Sequence, residues 1–252
     1  MNASNTRDAA HVIACASAGA LRIDIAGEPV RLLPERAMFL PTRGELLIAD
    51  PHFGKAAVFR RHGVALPTGT TTSDLERLDR LLHATRAGCL SVLGDFLHGR
   101  PAADDPWLAR FAAWRMRWPD VVLRVIIGNH DRPLLADWQS RIGCRSDDLW
   151  LDEAQSGPFL LRHEPSDHPG LHVLCGHLHP VFSLRGRADR LRLPVFWQTP
   201  GHTVLPSFGG LTGGWDVSPA HSDKLYAIGP DRVLDISAAV PAQVRGACKP
   251  RR

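Results

Sequence analysis

Five short polar motifs, each following an apolar run of strand length, most constrain how this chain can fold. The runs are Leu46–Ala49, Leu90–Leu93, Val121–Ile127, Phe159–Leu161 and Val173–Cys175. The motifs are Asp50-Pro51-His52, Gly94-Asp95-Phe96-Leu97-His98, Gly128-Asn129-His130-Asp131, a single His163, and Gly176-His177-Leu178-His179. Short apolar runs bounded by glycine are typical of buried strands. Because open α/β sheets bind ligands beyond the carboxyl ends of their strands, we expect these polar side chains to converge on one crevice.

Length and composition predict a single domain spanning residues 1–252. A chain of 252 residues with 44% hydrophobic residues can bury one substantial core, and no stretch in it reads as a linker. We expect a short disordered N-terminus, residues 1–9, and a disordered basic tail, residues 244–252. No apolar stretch has transmembrane length and no signal-peptide pattern is visible, so we expect a cytoplasmic protein without a membrane partner.

Cysteine usage and charge narrow the class of protein further. Five cysteines at scattered positions, without C-x-x-C pairs, fit a reducing compartment rather than a disulfide framework. The net charge of +4 is carried mainly by arginine, which suits phosphate. Polyanionic partners are therefore favoured weakly, although genome composition would also explain an arginine-rich chain.

The pattern along the chain indicates strands and helices in alternation, then a second group of strands. Residues 21–33 predict a hairpin around Gly27, and residues 72–88 an amphipathic helix capped at Thr72. A further helix is expected from Asp105-Pro106 to Trp118, carrying tryptophans whose helical spacing favours core packing over base stacking. After His179, short strands separated by turns predict a second sheet.

The motifs contain the ligands that a two-metal site requires. Two divalent cations about 3.5–4 Å apart need a bridging ligand, terminal ligands and open positions for water and phosphate. Asp95 is the natural bridge, because a carboxylate has two oxygens and offsets the repulsion between the cations. The ligands of the first metal are then Asp50, His52 and His179, and those of the second are Asn129, His163 and His177. Oxygen and imidazole donors without thiolate predict Mn, Fe or Zn, without choosing among them.

His130 has no ligand role and is placed to act as a general acid. It directly follows Asn129, so it can protonate the departing alkoxide, with Asp131 orienting its ring. The predicted reaction is in-line attack on phosphorus by a hydroxide that bridges the two metals. Taken alone, Gly128–Asp131 could be a turn and His163 an ordinary buried histidine, but the order and spacing of all five motifs favour the metal site.

The motif order D-x-H, G-D, G-N-H-D, H and G-H-x-H resembles the calcineurin-like metallophosphoesterase family, and every position is filled. The resemblance implies an α+β fold, a four-layer αββα sandwich of two mixed β-sheets flanked by helices. The stretches Ala49–Ala57, Leu93–Arg100, Arg162–Pro165 and Leu205–Gly214 look like the bacterial ligase-associated DNA damage response endonucleases of that superfamily. This resemblance implies two manganese ions, a single-stranded or damaged DNA substrate, and a DNA ligase and a helicase of the same repair pathway as partners.

Several other residues are candidates for contacts with substrate. The Gly-Asp-x-x-His motif ending at His98 also resembles nuclease subunits of double-strand-break repair complexes, so His98 is expected to contact the scissile phosphate or support Asp95, unless it is merely structural. Four basic residues follow the motifs closely enough to contact a phosphate backbone, although each could be an ordinary surface charge: Lys55, Arg60, Arg61 and Arg100. The glycine-rich segment Leu205–Gly214 lacks the ending of a P-loop and predicts a tight turn near the site.

Three functions compete at this stage. The first is a metal-dependent DNA phosphodiesterase acting as an endonuclease in repair, and the second is a phosphodiesterase or phosphatase for small nucleotides or phosphoproteins. A long basic groove favours the first and a closed pocket favours the second. The third is a non-catalytic scaffold that binds a ligase or helicase, against which the intact ligand set and His130 argue.

Overall fold

The chain forms two β-sheets and three α-helices within the residues that the structure describes. This computed structural model describes residues 19–135, 147–185 and 190–240. The N-terminal residues 1–9 and the basic tail, residues 244–252, for which we expect disorder, lie outside these ranges.

The first sheet has seven strands that follow one another in sequence order across its width. They are β1 (Leu21–Ile25), β2 (Glu28–Leu33), β3 (Ala37–Leu40), β4 (Glu45–Ile48), β5 (Cys89–Leu93), β6 (Val122–Ile126) and β7 (Leu149–Leu151). Strands β1 to β4 are antiparallel, and β4 to β7 are parallel. The carboxyl ends of β4, β5 and β6 therefore lie at one edge of this sheet. The predicted hairpin joins β1 to β2, with Ala26 and Gly27 at positive φ as a tight two-residue turn requires.

The helices follow the parallel strands and cover one face of the first sheet. They are α1 (Lys55–Arg61), α2 (Thr70–Thr85) and α3 (Pro106–Arg117). Helix α3 has Pro106 in its first turn and ends at Trp118, as the sequence predicts. Its Trp107 and Trp114 are buried in the core, in agreement with their helical spacing.

Helix α2 begins earlier than predicted. Thr72 is not its N-cap, because the helix starts at Thr70 after Gly69, which has a φ of +94°. Asp74 is buried; its carboxylate accepts a hydrogen bond from Arg77 at 2.9 Å and from the Gly210 amide at 3.3 Å. The side chain of Asp74, two residues after the predicted cap, thus contacts a segment that is distant in sequence.

The second sheet has nine strands, all from the second half of the chain. They are β8 (Ala154–Ser156), β9 (Phe159–Leu161), β10 (His172–Cys175), β11 (Pro180–Arg185), β12 (Arg190–Gln198), β13 (His202–Val204), β14 (Trp215–Asp216), β15 (Lys224–Ile228) and β16 (Val233–Asp235). The order is β14-β11-β12-β13-β10-β9-β8, and β15 pairs with both β12 and β16. Strand β10 is parallel to its neighbours β9 and β13, so their carboxyl ends also share an edge.

Two cores hold these layers together. One lies between the helices and the first sheet, where residues such as Leu78 and Phe111 pack on Leu90 and Val92. The other lies between the two sheets and includes Leu47, Leu93, Phe159, Leu174 and Phe196. The molecule is therefore an α+β sandwich of two mixed sheets with three helices, as expected.

In the expected four-layer fold, helices cover the outer face of the second sheet. The described residues cover this face differently. Two small apolar clusters lie there, built around Val173 and Val204 and around Val195 and Leu225. Their members come from strands and irregular segments, and no helix within the described ranges contributes to them. All three described helices pack on the first sheet instead. Across the described ranges, no helix combines the length and apolar character needed to span a bilayer.

Candidate metal centre

Loops that follow β4, β5, β6, β9 and β10 meet at the edge between the two sheets. The first two of these loops are joined by backbone hydrogen bonds, from Asp50 N to Gly94 O at 3.2 Å and from His52 N to Asp95 O at 3.0 Å. In the second sheet, the amide after β10 donates to the carbonyl of His163 at 3.0 Å. These bonds extend the parallel ladders beyond the strands and join the first motif to the second and the fourth to the fifth. The amides of His130 and His177 donate to the carboxylates of Asp95 and Asp50, which joins the third motif to the second and the fifth to the first.

The backbone is strained where the candidate ligands lie. Eight described non-glycine residues have positive φ. Five of them are candidate ligands: Asp50, His52, Asp95, His177 and His179, with φ between 45° and 69°. Such conformations cost energy in residues that carry a Cβ and cluster at functional sites. The surrounding hydrogen bonds therefore hold the ligands in positions that the local sequence would not adopt alone.

Two glycines allow the loops to approach the ligands closely. A Cβ on Gly94 would lie 2.0 Å from Nδ1 of His163, and a Cβ on Gly128 would lie 2.2 Å from Oδ1 of Asp95. Both distances are far below van der Waals contact. The glycines in the G-D and G-N-H-D motifs thus make room for the side chains of neighbouring motifs.

Asp50, His52 and His179 form the first cluster of donors. One ligand atom of each lies within 4.8 Å of those of the other two. Nε2 of His179 is 3.6 Å from Oδ1 of Asp50, and the rings of His52 and His179 are nearly perpendicular at a centroid distance of 5.4 Å. These three residues are the set that the sequence assigned to the first metal.

Asp95, His163 and His177 form the second cluster, with Asn129 beside them. Oδ1 of Asn129 is 2.9 Å from Nε2 of His163 and 3.2 Å from Nδ1 of His177. Nδ1 of His163 lies 3.1 Å from the carbonyl of Leu93, so its proton belongs there and Nε2 presents a lone pair to the cluster. A cation bound between these oxygen and nitrogen atoms would accept their lone pairs.

Asp95 lies between the two clusters. Its Oδ2 is 3.8 Å from Nε2 of His52, whereas its Oδ1 is 3.5 Å from Nε2 of His163. One carboxylate therefore presents an oxygen to each side, as a bridging ligand must.

The protonation and burial of these groups suit divalent cations. Nε2 of His52 and Nε2 of His179 are buried, and neither has a hydrogen-bond partner among the described residues. Burial, assisted by the charge of Lys55, lowers the pKa of His52 to about 2, so its imidazole is neutral and can donate a lone pair. Burial raises the pKa of Asp50, while the neighbouring His179 ring acts in the opposite direction. Buried carboxylates and neutral imidazoles with unmatched lone pairs are the donor set that Mn, Fe or Zn accepts.

His130 and His98 lie together at the edge of the first cluster. The backbone amide of His130 donates to Oδ1 of Asp95 at 2.9 Å, and its partly exposed ring stacks on that of His98 at 5.1 Å and 24°. Nδ1 of His98 is 3.4 Å from Nδ1 of His52. Burial, followed by the charges of Lys55 and His130, lowers the pKa of His98 to about 4. The structure thus brings both histidines to the site, with His130 on its solvent side.

Asp131 is placed differently from the expectation that it orients the His130 ring. Its carboxylate is buried and accepts backbone hydrogen bonds from Phe96 at 3.2 Å, Leu97 at 2.9 Å and Gly128 at 3.0 Å. Burial raises its pKa to about 6, against the effect of those amides. Asp131 therefore ties the loop carrying Asp95 to its own loop, and acts on the site by positioning the backbone.

The four basic candidates divide into different roles. Lys55 is close enough that its charge lowers the pKa of His52 and of His98. Arg61 is instead paired with both carboxylate oxygens of Asp105, at 2.9 and 2.8 Å, and it donates to the carbonyl of Arg100.

A third candidate, Arg60, donates to the carbonyl of Pro67 at 3.1 Å. The charge of Lys55 thus reaches the donor clusters, whereas the observed contacts of Arg60 and Arg61 tie loops together.

The glycine-rich segment Leu205–Gly214 forms part of the site. Ser207 Oγ donates to the carbonyl of Asp50 at 2.8 Å, and the Phe208 amide donates to the carbonyl of Ala49 at 2.7 Å. A tight turn near the site was predicted here, and its glycine content was the signal. Sequence reasoning missed Arg36, which donates to the carbonyl of Ser207 at 3.4 Å, and no local motif marks it.

Comparison with known proteins relates this site to nucleases. No family model matches the sequence, and neither does any curated protein. Among solved structures, the Pseudomonas putida nuclease MPE is 39% identical, with a TM-score of 0.70; the match covers 85% of this chain and all of that one. The Escherichia coli phosphoesterase Yfce is 18% identical over 75% of this chain and 90% of its own, with a TM-score of 0.36. A protein of unknown function from Aquifex aeolicus is also 18% identical, over 57% of this chain and 81% of its own, with the same TM-score.

The identity with the nuclease extends over its full length, and this chain carries clustered Asp and His donors suited to cations. The chain therefore belongs to the same family as the Pseudomonas putida nuclease MPE and is a metal-dependent phosphoesterase.

Proposed function

We propose that this chain is a two-metal phosphodiesterase that cuts DNA internally, as an endonuclease in repair. The observation that carries the proposal is the placement of Asp95 between two donor clusters, with His130 beside it. Asp50, His52 and His179 would hold one cation, Asn129, His163 and His177 the other, and Asp95 would contact both. When bound, two divalent cations supply an activated nucleophile at neutral pH and neutralise charge on the phosphoryl oxygens. We propose manganese as the physiological metal, with Fe or Zn as the alternatives that the same donors accept.

His130 supplies the proton that the leaving group needs. As the bond between phosphorus and the leaving oxygen breaks, the protonated His130 ring transfers its proton to that oxygen and becomes neutral. The hydrogen bond from its backbone amide to Asp95 fixes its position relative to the donor clusters. His98 stacks on it and limits the orientations of its ring.

An extended polyanion suits the surroundings of the site better than a small molecule. One cavity of about 420 Å³ reaches Asn129 and His163, and another of about 290 Å³ reaches His179. The donor clusters therefore have binding space on both sides, which a polymer can occupy while its scissile bond lies between them. The net charge of +4 and the 39% identity to a protein described as a nuclease support a nucleic-acid substrate.

Turnover of three substrates tests the proposal. Metal-stripped protein is assayed with and without manganese on a chromogenic bis-aryl phosphodiester, on the corresponding monoester and on circular single-stranded DNA. We expect manganese-dependent cleavage of the diester and of the circle, with weak cleavage of the monoester. A circle has no ends, so its cleavage requires an endonuclease.

Two histidine variants complete this experiment. His130→Ala should lower diester turnover about 10²- to 10⁴-fold by removing the general acid. His62→Ala is the matched control, because His62 is exposed at the end of α1 and contacts the carbonyl of Val58. Cleavage of only the monoester or of small nucleotides would favour the alternative phosphatase function, and no turnover with any metal would favour a scaffold.

A further inference from the structure

A cavity beside His179 is lined by positive groups and has no acidic lining residue. It has a volume of about 290 Å³, and two of its lining residues, Arg36 and Arg192, are arginines. The cavity near Asn129 contains two arginines in its lining, Arg132 and Arg162, but each is paired with an acidic lining residue, Asp152 and Glu153. A phosphate should therefore be attracted more strongly to the cavity beside His179.

Arg36 is the arginine whose charge is available in this cavity. No carboxylate of the described residues forms an ion pair with it, and the acidic residue that acts on its pKa, Asp74, is already paired with Arg77 at 2.9 Å. Arg192, by contrast, is paired with Asp216 at 3.1 Å. The Arg36 guanidinium is partly buried and makes one hydrogen bond, to the carbonyl of Ser207 at 3.4 Å, so most of its five donors stay open for a ligand.

The position of Arg36 is fixed relative to the donor clusters. It lies in the turn between β2 and β3 with a φ of +63°, and the carbonyl that it contacts belongs to Ser207. Ser207 in turn donates to the carbonyl of Asp50 at 2.8 Å. Two hydrogen bonds thus connect the guanidinium to a candidate metal ligand, and the strained turn directs it there.

A second polar group in the same cavity lacks a partner. The hydroxyl oxygen of Thr212 is buried and has no hydrogen-bond partner among the described residues. Buried hydroxyl groups are normally satisfied, so a ligand oxygen is a suitable partner for it. A hydroxyl and an unpaired guanidinium are the usual ligands of a phosphodiester backbone.

We propose that this cavity binds the phosphate next to the scissile one in a nucleic-acid strand, with Arg36 as its main ligand. The subsite rests on the proposed function, because it places a second phosphate of the same strand beside the same centre. Arg36 is then a substrate-binding residue, and its contribution to substrate binding grows with the number of phosphates in the substrate.

Equilibrium binding tests the subsite independently of catalysis. A short fluorescein-labelled single-stranded DNA is titrated with metal-free protein, and anisotropy is followed at several salt concentrations. Arg36→Gln should weaken binding about tenfold or more, and reduce the dependence of log K on log salt by about 0.7, the value for one phosphate contact on a single strand. Arg22→Gln, on the exposed edge strand β1, is the matched control and should change neither quantity.

Turnover then separates a phosphate contact from a structural effect. With manganese, a dinucleoside monophosphate has no neighbouring phosphate, whereas a short oligonucleotide has several. The loss in kcat/KM for Arg36→Gln should be at least about tenfold larger on the oligonucleotide. Arg36→Lys, which keeps the charge without the planar fork, should fall between the wild type and Arg36→Gln.

Failure of the subsite proposal can be distinguished from failure of the proposed function. A wild-type protein that does not cleave either substrate contradicts the phosphodiesterase assignment, while the anisotropy result still decides the subsite. Equal losses on both substrates, or an unchanged salt dependence, would show that Arg36 only stabilises the turn and would overturn the subsite.

Discussion

At the scale of single residues, the site depends on side chains that support the ligands as much as on the ligands themselves. Asp131 is an example, because its carboxylate satisfies three backbone amides and thereby fixes the loop that carries Asp95. Gly128 is another, because the absence of a Cβ lets its loop pass Asp95. Neither residue has to touch a metal or a substrate to be essential.

Removing the Asp131 carboxylate should destabilise the metal-free protein. Asp131→Ala leaves three buried amides without their acceptor, which should lower the free energy of unfolding by at least about 1–3 kcal/mol. Urea denaturation monitored by fluorescence measures this change. Asp104→Ala, at an exposed position, is the control. An unchanged free energy of unfolding for Asp131→Ala would show that the three amides find other partners.

Adding one methyl group at Gly128 should impair metal binding. The new Cβ of Gly128→Ala would lie 2.2 Å from Oδ1 of Asp95, so this carboxylate or the loop must move. We expect manganese affinity to fall about 10- to 100-fold, as for other changes beside metal ligands, and titration calorimetry measures it. Gly88→Ala is the matched control, because its Cβ would meet no atom within 4 Å. Wild-type affinity in Gly128→Ala would contradict the proposed role of this close approach.

At the scale of elements, a buried ion pair holds α3 against the segment that leads into β7. Nη2 of Arg115 is 2.7 Å from Oδ1 of Asp148, and the two side chains are 2% and 0% exposed. Arg115 also donates to the carbonyl of Trp118 at the end of α3. A second pair on the same helix, between Arg117 and Asp79, is much more exposed.

The two pairs on α3 should differ strongly in their effect on stability. Arg115→Met removes this ion pair from the buried Asp148 carboxylate, which should cost about 3–5 kcal/mol. Arg117→Met breaks a solvent-screened pair and should cost less than about 1 kcal/mol. Thermal unfolding of both variants measures the difference. Similar losses for both variants would mean that the burial of the first pair does not determine its contribution.

At the scale of the whole molecule, the donor clusters join the two sheets. Asp50, Asp95 and Asn129 follow strands of the first sheet, whereas His163, His177 and His179 follow strands of the second. Cations held among them would connect layers that otherwise meet through the apolar core between the sheets. Metal binding and global stability should therefore be coupled.

Removing and restoring metal should change the melting temperature. A cation at about 100 times its dissociation constant stabilises the folded state by about 2.7 kcal/mol, which corresponds to roughly 5–10 °C in a protein of this size. Differential scanning calorimetry of the metal-stripped protein, with and without manganese, checks this shift. Asp95→Asn should lose most of it, because one carboxylate faces both clusters. A shift of the same size in that variant would contradict the bridging position.

The sequence alone determined the type of chemistry and its place in the fold. Each polar motif follows an apolar run, and the carboxyl ends of parallel strands within one sheet meet at one edge. The packing of the two sheets then brings the two edges together. Of the three groups of possible ligands in the described residues, two lie around Asp50 and around Asp95, and they contain the histidines that the motifs assigned to the two metals; the third is His52, His98 and His130. A second sheet was predicted only after His179, but it already begins at β8 (Ala154–Ser156).

Only the tertiary structure decided the roles of residues whose partners are distant in sequence. Arg36 and Ser207 are 171 positions apart, so no local pattern could connect them. Asp131 was expected to orient its neighbour His130, but the packing of two loops directs its carboxylate to backbone amides 34 and 35 positions away. The side chain of Asp74, two residues after the predicted cap Thr72, lies against Gly210 for the same reason. Periodicity and motifs indicate contacts within one element. The direction of a charged side chain depends instead on which distant segments the fold places beside it.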